Sequence, residues 1–238
     1  MEKSTLYTVG HSNQSQEEFL ALIRSQDIDC IIDVRSMPYS KYTSQFNSEV
    51  LKAFLNKNGI LYAHFGEEFG ARRLDCFKNE SFSKKGITEV KPQVNFELGI
   101  NTPNFLRGVE RLKKALSQGR HVSLMCSEAD PLGCHRFSFL SRYFYELGWN
   151  VQHIIKDENS GEGIIRSHKD LENDMILEYV HAHKLKEIDG QGDMSLFCMS
   201  DFGDGYNADL QRIDAYRLKN HEIGWIPANS DNEEEFID

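Results

Sequence analysis

A short segment in the second half of the chain, Cys126 to Arg136, combines two cysteines with a histidine and an arginine. Cys134-His135-Arg136 falls at the predicted start of a helix, where free N–H groups and the dipole favour anions and lower a thiol pKa. Cys126 or Cys134 could therefore act as a nucleophile, with His135 or His11 as proton carrier. Arg136 adds a planar fork suited to phosphate or carboxylate. The alternative is that both cysteines are simply small buried side chains, which is common for free cysteine.

The same segment contains residue types that bind zinc. Cys126, Cys134 and His135 could supply three ligands, with His11 or Cys76 as a fourth. Zinc sites usually show closely spaced Cys-x-x-Cys pairs, and this chain has none. The spacing therefore predicts no metal site. We expect the purified protein to hold less than one equivalent of tightly bound zinc or iron.

Glu128 is the candidate general acid or base, because it lies just beyond the predicted strand that ends at Cys126. The alternative is a solvated loop carboxylate or a partner of the following helix. The spacing from either cysteine to Arg136 does not fit the loop of cysteine-dependent phosphatases, so that chemistry is not predicted.

Two further polar clusters follow predicted strands, and a pair of arginines lies in a long polar stretch. His11 follows the first strand, and Asp33 and Arg35 close the second, on one face because side chains repeat every two residues. Arg72 and Arg73 could close over an anionic ligand or could be surface charge. Ligands of open α/β sheets bind beyond the carboxyl ends of the strands, so these positions predict one pocket. The alternative for Asp33 and Arg35 is a local ion pair.

The elements that must position these residues follow from apolar periodicity. β-prone or continuous apolar runs predict five strands, at Thr5–Val9, Cys30–Val34, Ile60–Phe65, His121–Cys126 and Val151–Ile155. Amphipathic helices alternate with them, and Ser15 with Glu18 forms a capping box before the first helix. The stretch from Gly66 to Ile100 has weak periodicity and is expected to be a functional or partly helical loop.

This alternation predicts a Rossmann-like, doubly wound α/β fold with a mostly parallel five-stranded sheet. Helical patterns over Ser167–Lys186 and Asp209–Asn220 predict a C-terminal helical extension. We expect an α/β domain over residues 1–190, an extension packed on it over 191–227, and a mobile acidic tail over Ala228–Asp238.

Composition limits the classes of function. The chain has 238 residues, 39% of them hydrophobic, and a formal net charge of −10, half of it in the tail. Broad nonspecific nucleic-acid binding has no support from that charge. Five irregularly spaced cysteines, no signal peptide and no apolar run long enough for a bilayer favour a cytoplasmic protein away from membranes.

These motifs resemble the family called domain of unknown function 488. The resemblance rests on Thr8–Asn13, Asp33–Arg35 with Pro38, Phe69–Arg73, Phe105, Gly108, Arg111, Leu124–Glu128, Asp130-Pro131, Cys134–Arg136, His153-Ile154, Leu196-Phe197 and Ala215-Tyr216. Ala129 departs from the pattern, which often has lysine there. The resemblance implies a Rossmann-like fold and one polar pocket without an established reaction. The implied pocket contains His11, Asp33, Arg35, Cys126, Glu128, Cys134, His135 and Arg136.

The leading functional hypothesis is an enzyme acting on a phosphate-bearing or other anionic substrate, including a nucleotide or nucleic acid. Arg35 and Arg136 would hold the anion, and Glu128 or His11 would move a proton. The cysteines would line the pocket or act as nucleophile. The rivals are a noncatalytic ligand- or nucleic-acid-binding module and a metal-dependent protein. The sequence leaves the cofactor and the oligomeric state open.

Overall fold

The computed structural model describes residues 5–84, 87–157, 160–186 and 206–227. It contains eight strands and eight α-helices in the described part. The strands are β1 (Thr5–Gly10), β2 (Cys30–Asp33), β3 (Leu61–His64), β4 (Phe77–Lys84), β5 (Ile87–Val94), β6 (Val122–Cys126), β7 (Asn150–Lys156) and β8 (Gly163–Ser167). The helices are α1 (Gln16–Arg24), α2 (Ser48–Lys57), α3 (Gly66–Phe69), α4 (Phe96–Gly99), α5 (Pro103–Ser117), α6 (Arg142–Glu146), α7 (His168–His181) and α8 (Ala208–Ile223).

The main sheet has the strand order β3-β2-β6-β1-β7-β8. Neighbouring strands from β3 to β7 are parallel, whereas β8 pairs antiparallel with β7. The prediction of a mostly parallel sheet is therefore confirmed, with a sixth strand added at one edge. The order differs from the usual dinucleotide-binding arrangement, because β6 lies between β1 and β2.

Helices cover both faces of this sheet, as expected for a doubly wound fold. One buried cluster joins apolar residues of α1 and α2 to alternate residues of the central strands, including Ile31 and Met125. The other joins α5 and α6 to the intervening strand residues, including Ile32 and Leu124. Strands buried on both faces explain the nearly continuous apolar runs in the sequence.

The polar stretch from Gly66 to Ile100 contains a β-hairpin that the sequence did not predict. Strands β4 and β5 form a separate antiparallel sheet, between the short helices α3 and α4. The hairpin joins the C-terminal part of the chain through Asn220, whose side chain bonds the Val94 carbonyl and the Phe96 N–H. The stretch is therefore partly helical, as expected, and it also contains the pair of strands β4 and β5, which we call the arm.

The two C-terminal helices were predicted by periodicity and are α7 and α8. They bury Tyr179 and Tyr216 against Phe137 in a third apolar cluster. The expected tail over Ala228–Asp238, and Cys198, lie outside the described residues. None of the described helices is both long and apolar enough to cross a bilayer.

Candidate functional site

Two thiols and an imidazole meet at the carboxyl end of β6, and we call Cys126, Cys134 and His135 the thiol cluster. Cys126 is the last residue of β6, which is held between β1 and β2. His135 Nδ1 lies 3.7 Å from Cys126 Sγ and 3.7 Å from Cys134 Sγ. All three residues are buried, and both cysteines are free. The sequence predicted these residues as a group, and the structure brings them together.

The surroundings of the two thiols separate their pKa values. Burial alone would raise the pKa of Cys134, but a hydrogen bond with Cys126 and the charges of Arg136 and His135 lower it well below its usual value. The same hydrogen bond, together with burial, raises the pKa of Cys126 well above its usual value. The pair therefore favours one thiolate, on Cys134, and one thiol, on Cys126.

Arg136 is fully buried beside the thiol cluster, at the start of a π-helical segment that continues into α6. Its two terminal nitrogens donate to the backbone carbonyls of Glu128 and Ala129, at 2.6 and 2.8 Å. Its backbone N–H points at Cys134 Sγ, 3.5 Å away. The sequence predicts a ligand-binding fork at this position; the described contacts of the fork are instead internal.

The loop after β6 is fixed from its other side by Gly10. A Cβ at this position would lie 1.8 Å from the carbonyl oxygen of Glu128, so only glycine lets the two backbones approach. Gly10 and Arg136 thus hold the loop between them. The side chain of Glu128, the expected acid or base, is exposed, and its carbonyl is the group that Arg136 contacts.

A second group, which we call the arginine cluster, contains His11, Asp33, Arg35, Phe46 and Tyr62. Arg35 binds Asp33 in a bidentate ion pair, with distances of 2.9 and 2.6 Å, and its NH1 lies 3.0 Å from His11 Nε2. Tyr62 donates a hydrogen bond to Asp33, and the His11 ring stacks on Phe46. The expected local ion pair is present, and the structure brings His11 to it.

The charges of the two clusters act on each other. Burial, and then the charge of Arg35, lower the pKa of His11 to about 4, with a smaller contribution from Arg136. Burial lowers the pKa of Arg35. The hydrogen bonds and charge of Asp33 outweigh burial and keep the pKa of Arg35 above its usual value, with a further contribution from Cys126. His11 is therefore a neutral imidazole at pH 7. The two clusters lie within electrostatic reach across the end of β6.

The two remaining arginines predicted for the site have different surroundings. Arg73 is buried and binds the Glu68 carbonyl, Asp75 and Thr102, so it fastens the chain between α3 and α5. Arg72 is exposed, and its backbone N–H donates to Ser36 in the loop after β2. Of this pair, only Arg72 is exposed and therefore accessible to a ligand.

A cavity of about 590 Å³ opens at the carboxyl ends of β1 and β7, beside the loop after β6. Its lining includes Ser12, Gln14, Asp130, Ile154 and Lys156. Ala129, whose carbonyl is bound by Arg136, also lines it. The cavity therefore shares a wall with the loop that leads from Cys126 to Cys134.

The ligand atoms of the thiol cluster also meet a geometric requirement for a metal. They all lie within 4.8 Å of one another. In a tetrahedral zinc site with ordinary bond lengths, a nitrogen and a sulfur ligand lie about 3.6 Å apart. The 3.7 Å separations in the cluster are close to that value. The expected fourth ligands, His11 and Cys76, are not members of the group.

A buried chain of hydrogen bonds links the sheet to the C-terminal helices, and it was not predicted from the sequence. It runs from Thr8 to His153 (2.8 Å), His168 (3.3 Å), Tyr216 (2.9 Å) and Glu172 (2.9 Å). These groups come from β1, β7, α7 and α8, so the chain joins the C-terminal helices to the sheet. The sequence did not indicate this chain because its residues are far apart in sequence and each histidine alone looks like an ordinary core residue.

Comparison with known protein families gives one match. A family model described as Domain of unknown function DUF488 matches residues 15–143. This span contains the thiol cluster, Arg136 and most of the arginine cluster; His11 and the histidines of the buried chain fall outside it. No curated protein and no solved structure matches the chain.

Proposed function

Because the chain belongs to the DUF488 family, whose description names no reaction, we propose a function from the chemistry of the site. The protein is a thiol-dependent enzyme that acts on an anionic, phosphate-bearing substrate, a nucleotide included. Cys134 is the nucleophile, and the substrate binds at the carboxyl edge of the sheet. The buried free thiols fit a reducing, cytoplasmic setting.

The charge of buried Arg136 is the observation that carries this proposal. A buried guanidinium needs a nearby anion, because an isolated charge in the interior is costly. Among the ion pairs of the described residues, none joins Arg136 to a carboxylate. The charge of Arg136 lowers the pKa of Cys134, so we assign the compensating negative charge to the Cys134 sulfur, which the Arg136 backbone N–H also approaches. A thiolate is the reactive form of cysteine.

Neighbouring groups supply the other parts of a nucleophilic mechanism. His135 Nδ1, 3.7 Å from both sulfurs, can take up a proton and return it to a leaving group. Arg136 contributes positive charge beside the Cys134 sulfur, whereas the charge of Arg35 is already paired with Asp33. Arg72, which is exposed, supplies a further guanidinium. Glu128, exposed beside the cavity, is the candidate to exchange a proton with bound substrate.

Thiol reactivity tests the nucleophile directly. Brief iodoacetamide treatment is carried out at several pH values between 6 and 9, and labelling is measured by peptide mass spectrometry. We expect labelling of Cys134 to begin at a lower pH than labelling of the control cysteines. Cys30 and Cys76 are internal controls, since burial raises the pKa of each to about 11. Labelling of Cys134 that is no faster than that of these controls across the range contradicts the assignment.

Turnover separates an enzyme from a binding module. Nucleotides, sugar phosphates and acyl phosphates are incubated with the wild-type protein, and products are followed by phosphorus NMR. We expect one class to be consumed, with at least ~100-fold slower turnover for Cys134→Ser and wild-type turnover for the control Cys30→Ser. A ligand that saturates the protein while all product pools stay unchanged indicates a noncatalytic module instead.

A metal site is the second candidate, and the 3.7 Å separations in the thiol cluster are what favour it. The ligand set opposes it, because among the described residues only three ligands come together and the chain has no Cys-x-x-Cys pair. We expect elemental analysis of untagged protein to find well below one equivalent of zinc or iron. One equivalent that disappears in both Cys126→Ser and His135→Ala establishes the metal site.

A further inference from the structure

The two sulfurs of the thiol cluster are placed for a reaction with each other. Cys126 Sγ and Cys134 Sγ lie within 4.8 Å of each other, and each is 3.7 Å from the same imidazole nitrogen, Nδ1 of His135. A disulfide requires about 2.05 Å between the sulfurs, a gap that rotation of two cysteine side chains can close. Cys126 is fixed by β6, and Arg136 pins the intervening loop at Glu128 and Ala129. The backbone therefore holds the two thiols close.

We infer that Cys126 and Cys134 form a reversible disulfide when a hydroperoxide reaches the site, which makes the pair an oxidation-sensitive modification site. The distance between the two sulfurs carries the inference; it rests on the proposed function only for the choice of Cys134 as the first sulfur to react, and not on turnover. The two cysteines have different parts: Cys134 is attacked first, and Cys126 resolves the product. Cys30 and Cys76 lack a neighbouring thiol among the described cysteine contacts and serve as bystanders.

The chemistry balances with the peroxide as the only added reactant. The Cys134 thiolate attacks one peroxide oxygen, the O–O bond breaks, and the departing oxygen takes a proton and leaves as water or an alcohol. Cys134 is now a sulfenic acid. Cys126 passes its proton to His135 and attacks the Cys134 sulfur; the S–O bond breaks, and the hydroxide takes up that proton as water. The two sulfurs lose two electrons in total, and the peroxide gains them.

The geometry also explains why this bridge protects the site. Without a partner thiol, a sulfenic acid is open to further, irreversible oxidation. With Cys126 close by, condensation competes with that step. The oxidised protein loses the Cys134 thiolate and with it the anion beside Arg136. Turnover by the proposed mechanism therefore stops until a thiol reductant restores the pair.

The experiment treats full-length protein with hydrogen peroxide and maps disulfides by mass spectrometry without reduction. We expect a peptide pair joined through Cys126 and Cys134, lighter by two hydrogens and separated by dithiothreitol. In Cys126→Ser, dimedone should trap a sulfenic acid on Cys134. Cys134→Ser should show neither product, and the control Cys76→Ser should behave as wild type. Circular dichroism confirms that each variant is folded.

Three outcomes overturn the inference: sulfinic acid on Cys134 of the wild type in place of the bridge, a bridge between two molecules, or unchanged thiols. The results for this inference and for the proposed function can be told apart. If Cys134 is reactive but never forms the disulfide, the proposed nucleophile stands and the inferred disulfide is refuted. If the wild type forms the disulfide but Cys134→Ser retains turnover, the inferred disulfide stands and the proposed nucleophile is refuted.

Discussion

Arg136 donates hydrogen bonds from both terminal nitrogens to carbonyl oxygens of one loop, so the loop depends on the planar shape of the guanidinium as well as on its charge. Arg136→Lys retains the charge but cannot span two carbonyls from one rigid plane. We expect the free energy of unfolding to fall by about 2 kcal/mol, the scale of hydrogen bonds to a charged group. Urea unfolding measures the change, and Arg217→Lys, at a side chain that is 61% exposed, is the control.

The opposite result for Arg136→Lys would return this residue to ligand binding. In that case apo-protein stability stays at the wild-type value, while stabilisation by added phosphate or nucleotide is lost. The sequence predicts this ligand role from the position of the guanidinium at a helix start. Partners that are backbone carbonyls have no side-chain identity, and a sequence therefore cannot reveal them.

Gly133 lies in the loop after β6, and Gly10 contacts the same loop from the end of β1, but the two glycines differ in the space around them. A Cβ at Gly10 meets the Glu128 backbone at 1.8 Å, whereas the nearest atom to a Cβ at Gly133 is 3.9 Å away. Gly10→Ala should cost about 1–3 kcal/mol of stability, because the loop must move. Gly133→Ala should cost little. Paired thermal melts check this, and equal losses in both variants contradict the close approach.

At the scale of the elements, helix α7 is attached to the sheet by an uncharged histidine. Burial, opposed in part by Glu172, lowers the pKa of His168 from 6.5 to about 3. Between these values the unfolded chain binds a proton that the folded chain does not. Stability from this group is therefore complete above pH 6.5 and is lost as the pH falls, by up to about 1.4 kcal/mol per pH unit.

His168→Gln tests this pH dependence, since glutamine can keep hydrogen bonds without gaining a proton. We expect the variant to lose less stability than the wild type between pH 7 and pH 5, as measured by urea unfolding at each pH. His181→Gln, at the exposed end of the same helix, should retain the wild-type slope. Parallel slopes for wild type and His168→Gln would refute the assignment.

The sequence predicted the elements whose burial produces a recognisable pattern of apolar residues. The five parallel strands lie within two residues of their predicted positions. The signal is clearest for β2 and β6, which are buried along their whole length and therefore have mostly apolar side chains in succession. The arm β4–β5 was missed because its residues are polar and largely exposed, with Pro92 in one strand. Strand β8 is a short edge strand, with too few residues for a period to be visible.

The same distinction holds for the site. The residue types of the thiol cluster and their place at a strand end were visible in the sequence. The 3.7 Å separations were not, because the loop between Cys126 and Cys134 could follow many paths. The order of the strands was equally hidden, since no local pattern records which strand pairs with which.

At the scale of the whole molecule, Asn220 of α8 closes the structure on the arm. Its side chain satisfies the Val94 carbonyl and the Phe96 N–H, at 2.8 and 2.7 Å. Asn220→Ala should cost about 2–4 kcal/mol, since two buried backbone groups lose their partner. Hydrogen exchange should accelerate at Phe96 and along α8. Asn56→Ala, on the exposed side of α2, is the control and should leave both segments protected.

The position of β6 between β1 and β2 affects how the chain folds during its synthesis. Thr8 pairs with Leu124, and Ile32 pairs with the same residue from the other side. A nascent chain that ends before β6 has two strands with a missing neighbour between them, and unpaired strand edges invite wrong partners. Contacts so distant in sequence also form slowly. Strand β6 must therefore leave the ribosome before the polar loops after β1 and β2 can take their places, so the thiol cluster cannot form before the middle of the sheet is complete.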